Sequence, residues 1–124
     1  MKRILLVDDD RSVLQFLGRV LSGYQVTFAR DGFEALAATE SLDRLDLLIT
    51  DYFMPEMFGD ELIARARERR PNLPVIVMTG HGPVFDRDAP LWWQSNAHLD
   101  KPIQVDALRE RVSMLIGDAP GVDH

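Results

Sequence analysis

A chain of 124 residues with no cysteine, 46% apolar and 27% charged, has the makeup of one soluble globular domain, and lacks the means for disulfides, thiolate chemistry or Cys-ligated metal. The net charge of −6 argues against a nucleic-acid surface, which needs clustered Lys and Arg, and no segment approaches the ~20 apolar residues that span a bilayer. The opening run Ile4 to Val7 meets aspartates too soon for a secretory leader, so the reading is a cytoplasmic chain with no membrane and no nucleic-acid partner.

In chain order, Ile4-Leu5-Leu6-Val7 predicts a strand near 3–7. Val13, Leu14, Leu17, Val20 and Leu21 then recur at helical spacing, with Asp10 placed to cap the helix and Gly23 to end it. A strand near 24–29 precedes Asp31-Gly32-Phe33-Glu34, which has the form of a capping box before Ala35, Leu36 and Ala37. A strand near 46–50 comes next, and Leu62, Ile63 and Ala66 mark a helix that stops before Pro71. The cluster Arg65, Arg67, Arg69 and Arg70 on that helix, interrupted by Glu68, reads as a solvated face.

After a strand near 74–78, the stretch 80–96 holds no apolar stripe for more than a turn. A fourth helix there is irregular or short, centred on Pro90 to Ser95. A strand near 97–99 follows, and Val105, Leu108, Val112, Leu115 and Ile116 form a last helix ended by Gly117. Residues 1–117 make the domain and 118–124 a flexible tail.

Strands alternating with helices predict an α/β fold built on a parallel sheet. The first, third and fourth strands are almost wholly apolar, as strands covered on both faces are, and belong at the centre. The expected architecture is doubly wound, with five strands in the order 2-1-3-4-5. Its crevice opens beyond the carboxyl ends of strands one and three, where the chain reverses direction.

Polar residues stand at those ends: Asp8 and Asp9 after strand one, Asp51 after Leu47 to Thr50, Thr79 after Val75 to Met78, and Lys101 before Pro102. A lone Asp after a strand usually caps a helix, and Asp10 fits that role. Capping explains Asp51 poorly, because Pro55 forbids an early helix. Three carboxylates in one crevice repel, so they recruit a cation or raise a pKa; hard oxygen donors of this kind suit Mg²⁺.

Taken together, Ile4 to Asp10, Asp31-Gly32-x-Glu34-Ala35-Leu36, Thr50-Asp51-Tyr52-Phe53-Met54-Pro55-x-Met57-x-Gly59, Met78-Thr79-Gly80 and Lys101-Pro102 resemble the receiver domain of two-component response regulators. The resemblance covers about residues 2–117 and implies a flavodoxin-like (βα)5 receiver of the stand-alone, single-domain type. It implies that Asp51 accepts phosphate from a histidine kinase or histidine phosphotransfer protein. Asp8, Asp9, Asp51 and the Phe53 carbonyl would surround Mg²⁺, Thr79 would turn toward the phosphoryl group and Lys101 would pair with it. It also implies a cis Lys101-Pro102 bond that aims Lys101 inward. Signalling to an unknown downstream protein would follow a change along the Thr79 to His98 side.

The chain departs from the family pattern in four places. His98 stands where an aromatic switch residue is usual, and either plays a reduced version of that part or simply faces solvent; Ile103 stands where Phe is common. Phe53 and His81, two residues after Asp51 and Thr79, take positions that flank the attacking water, so they are expected to tune dephosphorylation. The 80–96 segment replaces a regular helix and carries Trp92 and Trp93, which cannot both face a core and are candidates for partner contact.

Other readings stand beside this one. A haloacid-dehalogenase-type phosphatase would use Asp8 as nucleophile, Asp10 as acid-base and Ser12 as hydroxyl, leaving Asp51 unused. A flavodoxin-like FMN protein would need a hydroxyl- and amide-rich phosphate loop where Asp8-Asp9-Asp10 stands. Within the receiver reading, the alternatives are a phosphorelay intermediate and a phosphorylation-independent interaction module.

Overall fold

The apolar runs become the strands that their composition predicts. In the computed structural model, residues 1–80 and 96–117 are described. They form β1 (Arg3–Val7), α1 (Arg11–Val20), β2 (Gln25–Ala29), α2 (Gly32–Ser41), β3 (Leu47–Asp51), α3 (Gly59–Arg69), β4 (Val75–Thr79), β5 (Ala97–Asp100) and α4 (Val105–Ile116). All strand pairs are parallel, in the order β2-β1-β3-β4-β5. β3 and β4 are buried at every residue and β1 at all but its first, whereas the edge strands β2 and β5 are half open. The short helix expected within 80–96 and the tail 118–124 lie outside the described residues.

Alternation along the strands splits the core into two layers. Leu5, Val7, Leu48, Val75 and Val77 face Ala35 of α2 and Leu62, Ile63 and Ala66 of α3. Ile4, Leu6, Leu47, Ile49, Ile76 and Met78 face Leu14 and Leu17 of α1 and Leu108 and Val112 of α4, with Ile103 packed at the margin. Each fully buried Leu or Ile contributes about 1.5–3 kcal/mol, so this two-sided burial fixes the sheet.

Helix ends follow the expected chemistry with two corrections. Asp10 caps α1 by accepting from the Ser12 amide at 2.8 Å. Gly23 does not end α1, which stops at Val20 with Leu21 as its C-cap. The Leu21 amide donates to Leu17 O, Ser22 to Arg19 O and Tyr24 to Leu21 O, so a tight turn occupies those carbonyls without a left-handed glycine. Asp31 caps α2 through the Glu34 amide at 2.8 Å, but Glu34 reaches back to the Arg30 amide at 3.2 Å, one residue beyond the usual box. Gly117 ends α4 with φ 85°, where its lack of Cβ matters.

The arginine cluster also differs from a uniformly solvated face. Arg65 and Arg69 form exposed pairs with Glu61 and Glu40. Arg67 instead donates to Leu73 O at 3.1 and 3.0 Å and to Asn96 Oδ1 at 2.9 Å, and Arg70 to Thr39 O and Leu42 O at the end of α2. Their heads satisfy carbonyls at the end of α2 and in the turn between α3 and β4.

Candidate functional site

Parallel register brings the strand ends to one edge. Val7 lies beside Thr50 and Asp51 beside Met78, so Asp8, Asp51 and Thr79 emerge side by side. Asp8 is fully buried; its Oδ1 accepts from the Asp10 amide at 2.9 Å and its Oδ2 from Lys101 Nζ at 2.8 Å. Asp51 is 7% exposed, with Oδ2 3.2 Å from the same ammonium. Asp9 is exposed, and one carboxylate oxygen from each of Asp8, Asp9 and Asp51 lies within 4.8 Å of the others. Thr79 is buried at the end of β4.

Lys101 reaches this point because β5 carries it there. Its amide donates to Thr79 O at 2.7 Å, and the Lys101-Pro102 peptide is cis. One ammonium thus serves two carboxylates, and the third acid, Asp9, leaves a surplus of negative charge. Burial raises the pKa of Asp51 above the usual carboxylate value, with Asp8 and Asp9 adding to the effect and Lys101 opposing it. At Lys101, burial works to lower the pKa, but the hydrogen bond to Asp8 and the charges of Asp51 and Asp8 outweigh it and the net shift is upward. The result is a charged lysine beside an acid whose negative form is poorly compensated. That arrangement suits a basic carboxylate nucleophile, and the oxygen donors suit a small divalent cation.

The loop from Asp51 to α3 is tightly held. The Tyr52 amide donates to Met78 O at 2.9 Å and the Gly59 amide to Tyr52 O at 2.8 Å, while Met54 and Met57 are buried beneath. Glu56 takes φ 69° at the turn. A Cβ on residue 59 would stand 3.0 Å from Tyr52 Cα and 3.1 Å from Asp51 O, which explains glycine there. Phe53 is partly buried, and its ring meets those of Tyr52 at 4.8 Å and Phe58 at 5.8 Å.

The structure therefore brings Asp8, Asp9, Asp51 and Lys101 together and sets Thr79 and Phe53 on adjoining elements. His98 lies on β5 opposite Val77 and is exposed. His81, Trp92 and Trp93 lie outside the described residues. Asp10 is engaged at the α1 cap rather than directed to the site, contrary to what a dehalogenase-type phosphatase would need. Tyr52 and Phe58 escaped the sequence reading; the signal was three aromatics within the seven residues after Asp51.

Comparison with known proteins agrees with this geometry. The family model described as response regulator receiver domain matches residues 4–113. Response regulator MprA of Mycobacterium avium and of Mycobacterium tuberculosis is 40% identical over 116 residues, covering 92% of this chain and 50% of the relative. The chain thus spans about half the length of these curated relatives. Among solved structures, a receiver domain protein from Clostridium thermocellum superposes with a TM-score of 0.84 at 28% identity, covering 94% of each chain. A Thermotoga maritima response regulator in complex with Mg²⁺-BeF superposes at 0.83 with 31% identity, covering 93% of this chain and 99% of that one. With its matched span, its sheet order and its three converging carboxylates, the chain belongs to the response regulator receiver family.

Proposed function

We propose that Asp51 accepts a phosphoryl group from the phosphohistidine of a histidine kinase or histidine phosphotransfer protein, and that the domain signals by binding another protein. The observation that carries this reading is the buried Asp51 carboxylate, paired with Lys101 at 3.2 Å and crowded by Asp8 and Asp9. In the transfer an Asp51 oxygen bonds to phosphorus as the donor's P–N bond breaks. Lys101 pairs with the equatorial oxygens and Thr79 supplies a hydroxyl from the end of β4. The three-acid pocket fits a hard dication, so Asp8, Asp9, Asp51 and the Phe53 carbonyl are assigned to Mg²⁺, which would neutralise charge on the transferring oxygens.

The phosphoryl group shifts a population toward the state in which Thr79 and Lys101 satisfy it, and the Thr79 to His98 side carries the change to a downstream protein. The domain catalyses only its own phosphorylation and dephosphorylation. The receiver unit is residues 1–117. Bulk from Phe53 slows hydrolysis of the adduct. Phe53→Asn is expected to shorten the lifetime of phospho-Asp51; an unchanged or longer lifetime removes this role.

The test is intact-mass spectrometry after incubation with Mg²⁺ and acetyl phosphate. One added phosphoryl group in the parent and none in Asp51→Asn is the expected result. No gain with either acetyl phosphate or a phosphohistidine donor would point to a phosphorylation-independent interaction module.

A further inference from the structure

Lys101 serves Asp8 and Asp51 only if β5 keeps one register, and burial does little to fix it. The strand lies at the sheet edge and has four residues, Ala97–Asp100, of which Leu99 alone is buried. A slip of one residue would move Lys101 by about 3.3 Å and turn it to the other face of the sheet. A slip of two would move it by about 6.6 Å and leave the alternation of faces intact. Its ammonium stands 2.8 Å from Asp8 Oδ2 and 3.2 Å from Asp51 Oδ2, so either slip would break both contacts.

The amino end of β5 carries the contacts that fix it. Asn96, the residue before the strand, donates its amide to Val75 O at 2.9 Å and accepts the Val75 amide on its side-chain Oδ1 at 2.8 Å. One residue thus holds both backbone groups at the start of β4, and a side-chain oxygen takes the place that a backbone carbonyl takes in a parallel ladder. The same Oδ1 accepts from Arg67 at 2.9 Å. That guanidinium also donates to Leu73 O at 3.1 and 3.0 Å, so Arg67 ties Asn96 to α3 and to the turn before β4. The first residue of α3, Gly59, bonds Tyr52 O in the loop that follows Asp51. One helix therefore joins that loop at its first turn to the start of β5 at its last. At the far end of β5 the Lys101 amide donates to Thr79 O at 2.7 Å. The strand is pinned at both ends, and the pin at the amino end is made by side chains.

We propose that Asn96 and Arg67 are positioning residues that set the register of β5 and, through it, the reach of Lys101 to Asp51 during phosphoryl transfer. This rests on the reading of Asp51 as phosphoryl acceptor. With acetyl phosphate as donor, an Asp51 oxygen bonds to phosphorus while the P–O bond to acetate breaks and its electron pair leaves on acetate. Charge on the equatorial oxygens is met by the Lys101 ammonium, and that stabilisation depends on placement. A displacement of about 1 Å, caused far from the chemistry, can cost about a hundred-fold in rate. Asn96 stands at the opposite end of β5 from Lys101, so its effect passes through the strand.

The experiment follows formation of the adduct by intact mass with Mg²⁺ and acetyl phosphate, at a temperature where circular dichroism shows every variant folded. Asn96→Ala should lower the rate of phosphorylation about ten-fold, as expected of a displacement below about 1 Å. Asn96→Asp keeps an oxygen for the Val75 amide and Arg67, and should restore the rate. Arg67→Met keeps the stem, removes the donors and should slow transfer in the same sense. In a Lys101→Ala background, Asn96→Ala should slow the reaction no further, a result that a general loss of stability would not give. A parental rate in Asn96→Ala or Arg67→Met, a slow rate in Asn96→Asp, or an undiminished effect without Lys101 would overturn the inference. Absence of any adduct in the parent would instead overturn the acceptor reading, and this inference with it.

Discussion

Two aspartates at opposite ends of β3 show how one sheet treats the same side chain in two ways. Asp46, just before the strand, accepts from the Arg3 amide at 2.8 Å and from Arg44 Nε at 3.1 Å. Burial works to raise its pKa, but those bonds and the charges of Arg44 and Lys2 outweigh it and the net shift is downward. Asp51, at the other end, has its pKa raised by burial, with two like charges against one shared lysine. At the amino end the acid is neutralised and serves the fold. At the carboxyl end of β3, beside the end of β1, negative charge is left in surplus, the arrangement that the proposed phosphoryl acceptor requires.

The contrast is open to test. The largest effect expected is from metal: at a hundred times its Kd, Mg²⁺ should raise stability by about 2.7 kcal/mol, read as a rise in melting temperature. Asp9→Asn should abolish most of that gain while Asp46→Asn leaves it intact; a gain that survives loss of Asp9 would separate the metal from this pocket.

Next comes a difference of sign in metal-free buffer. Asp51→Asn removes a charge that folding disfavours and should raise the melting temperature by about 2–4 °C. Asp46→Ala removes the acceptor of the Arg3 amide and should cost about 1 kcal/mol. Denaturation curves that move both variants the same way would break the comparison.

The smallest effect concerns pH. Because the folded pKa of Asp46 lies below its unfolded value, its contribution is fully present above the unfolded pKa of 3.8 and is lost as pH falls through the folded value. The stability gap between parent and Asp46→Ala should hold from neutral pH down to about pH 4 and narrow below it. A gap that is constant to lower pH would show that the carboxylate charge contributes nothing.

Much of this was readable in the residues. Strand positions and strand-end polar residues are local patterns, and the doubly wound order expected of alternating strands and helices was enough to bring Asp8, Asp9, Asp51 and Lys101 together. The features that were missed depend on contacts between distant residues. Arg67 and Arg70 looked like solvated charge because nothing near them in sequence reveals that their partners are carbonyls of Leu73, Thr39 and Leu42 and the amide oxygen of Asn96. Gly23 looked like a helix stop, but the turn through Leu21 and Tyr24 satisfies the carbonyls first. Phe58 looked unremarkable until loop closure placed its ring against Phe53.

The central claim is that the acid carrying phosphate is Asp51 and no other. Borohydride reduces an aspartyl phosphate to homoserine, so peptide mapping after treatment with Mg²⁺, acetyl phosphate and borohydride reads the acceptor directly. Homoserine at position 51, with aspartate retained at 8, 9, 10 and 46, is the predicted result. Homoserine at position 8 would contradict it and favour the phosphatase-like use of the first acidic motif.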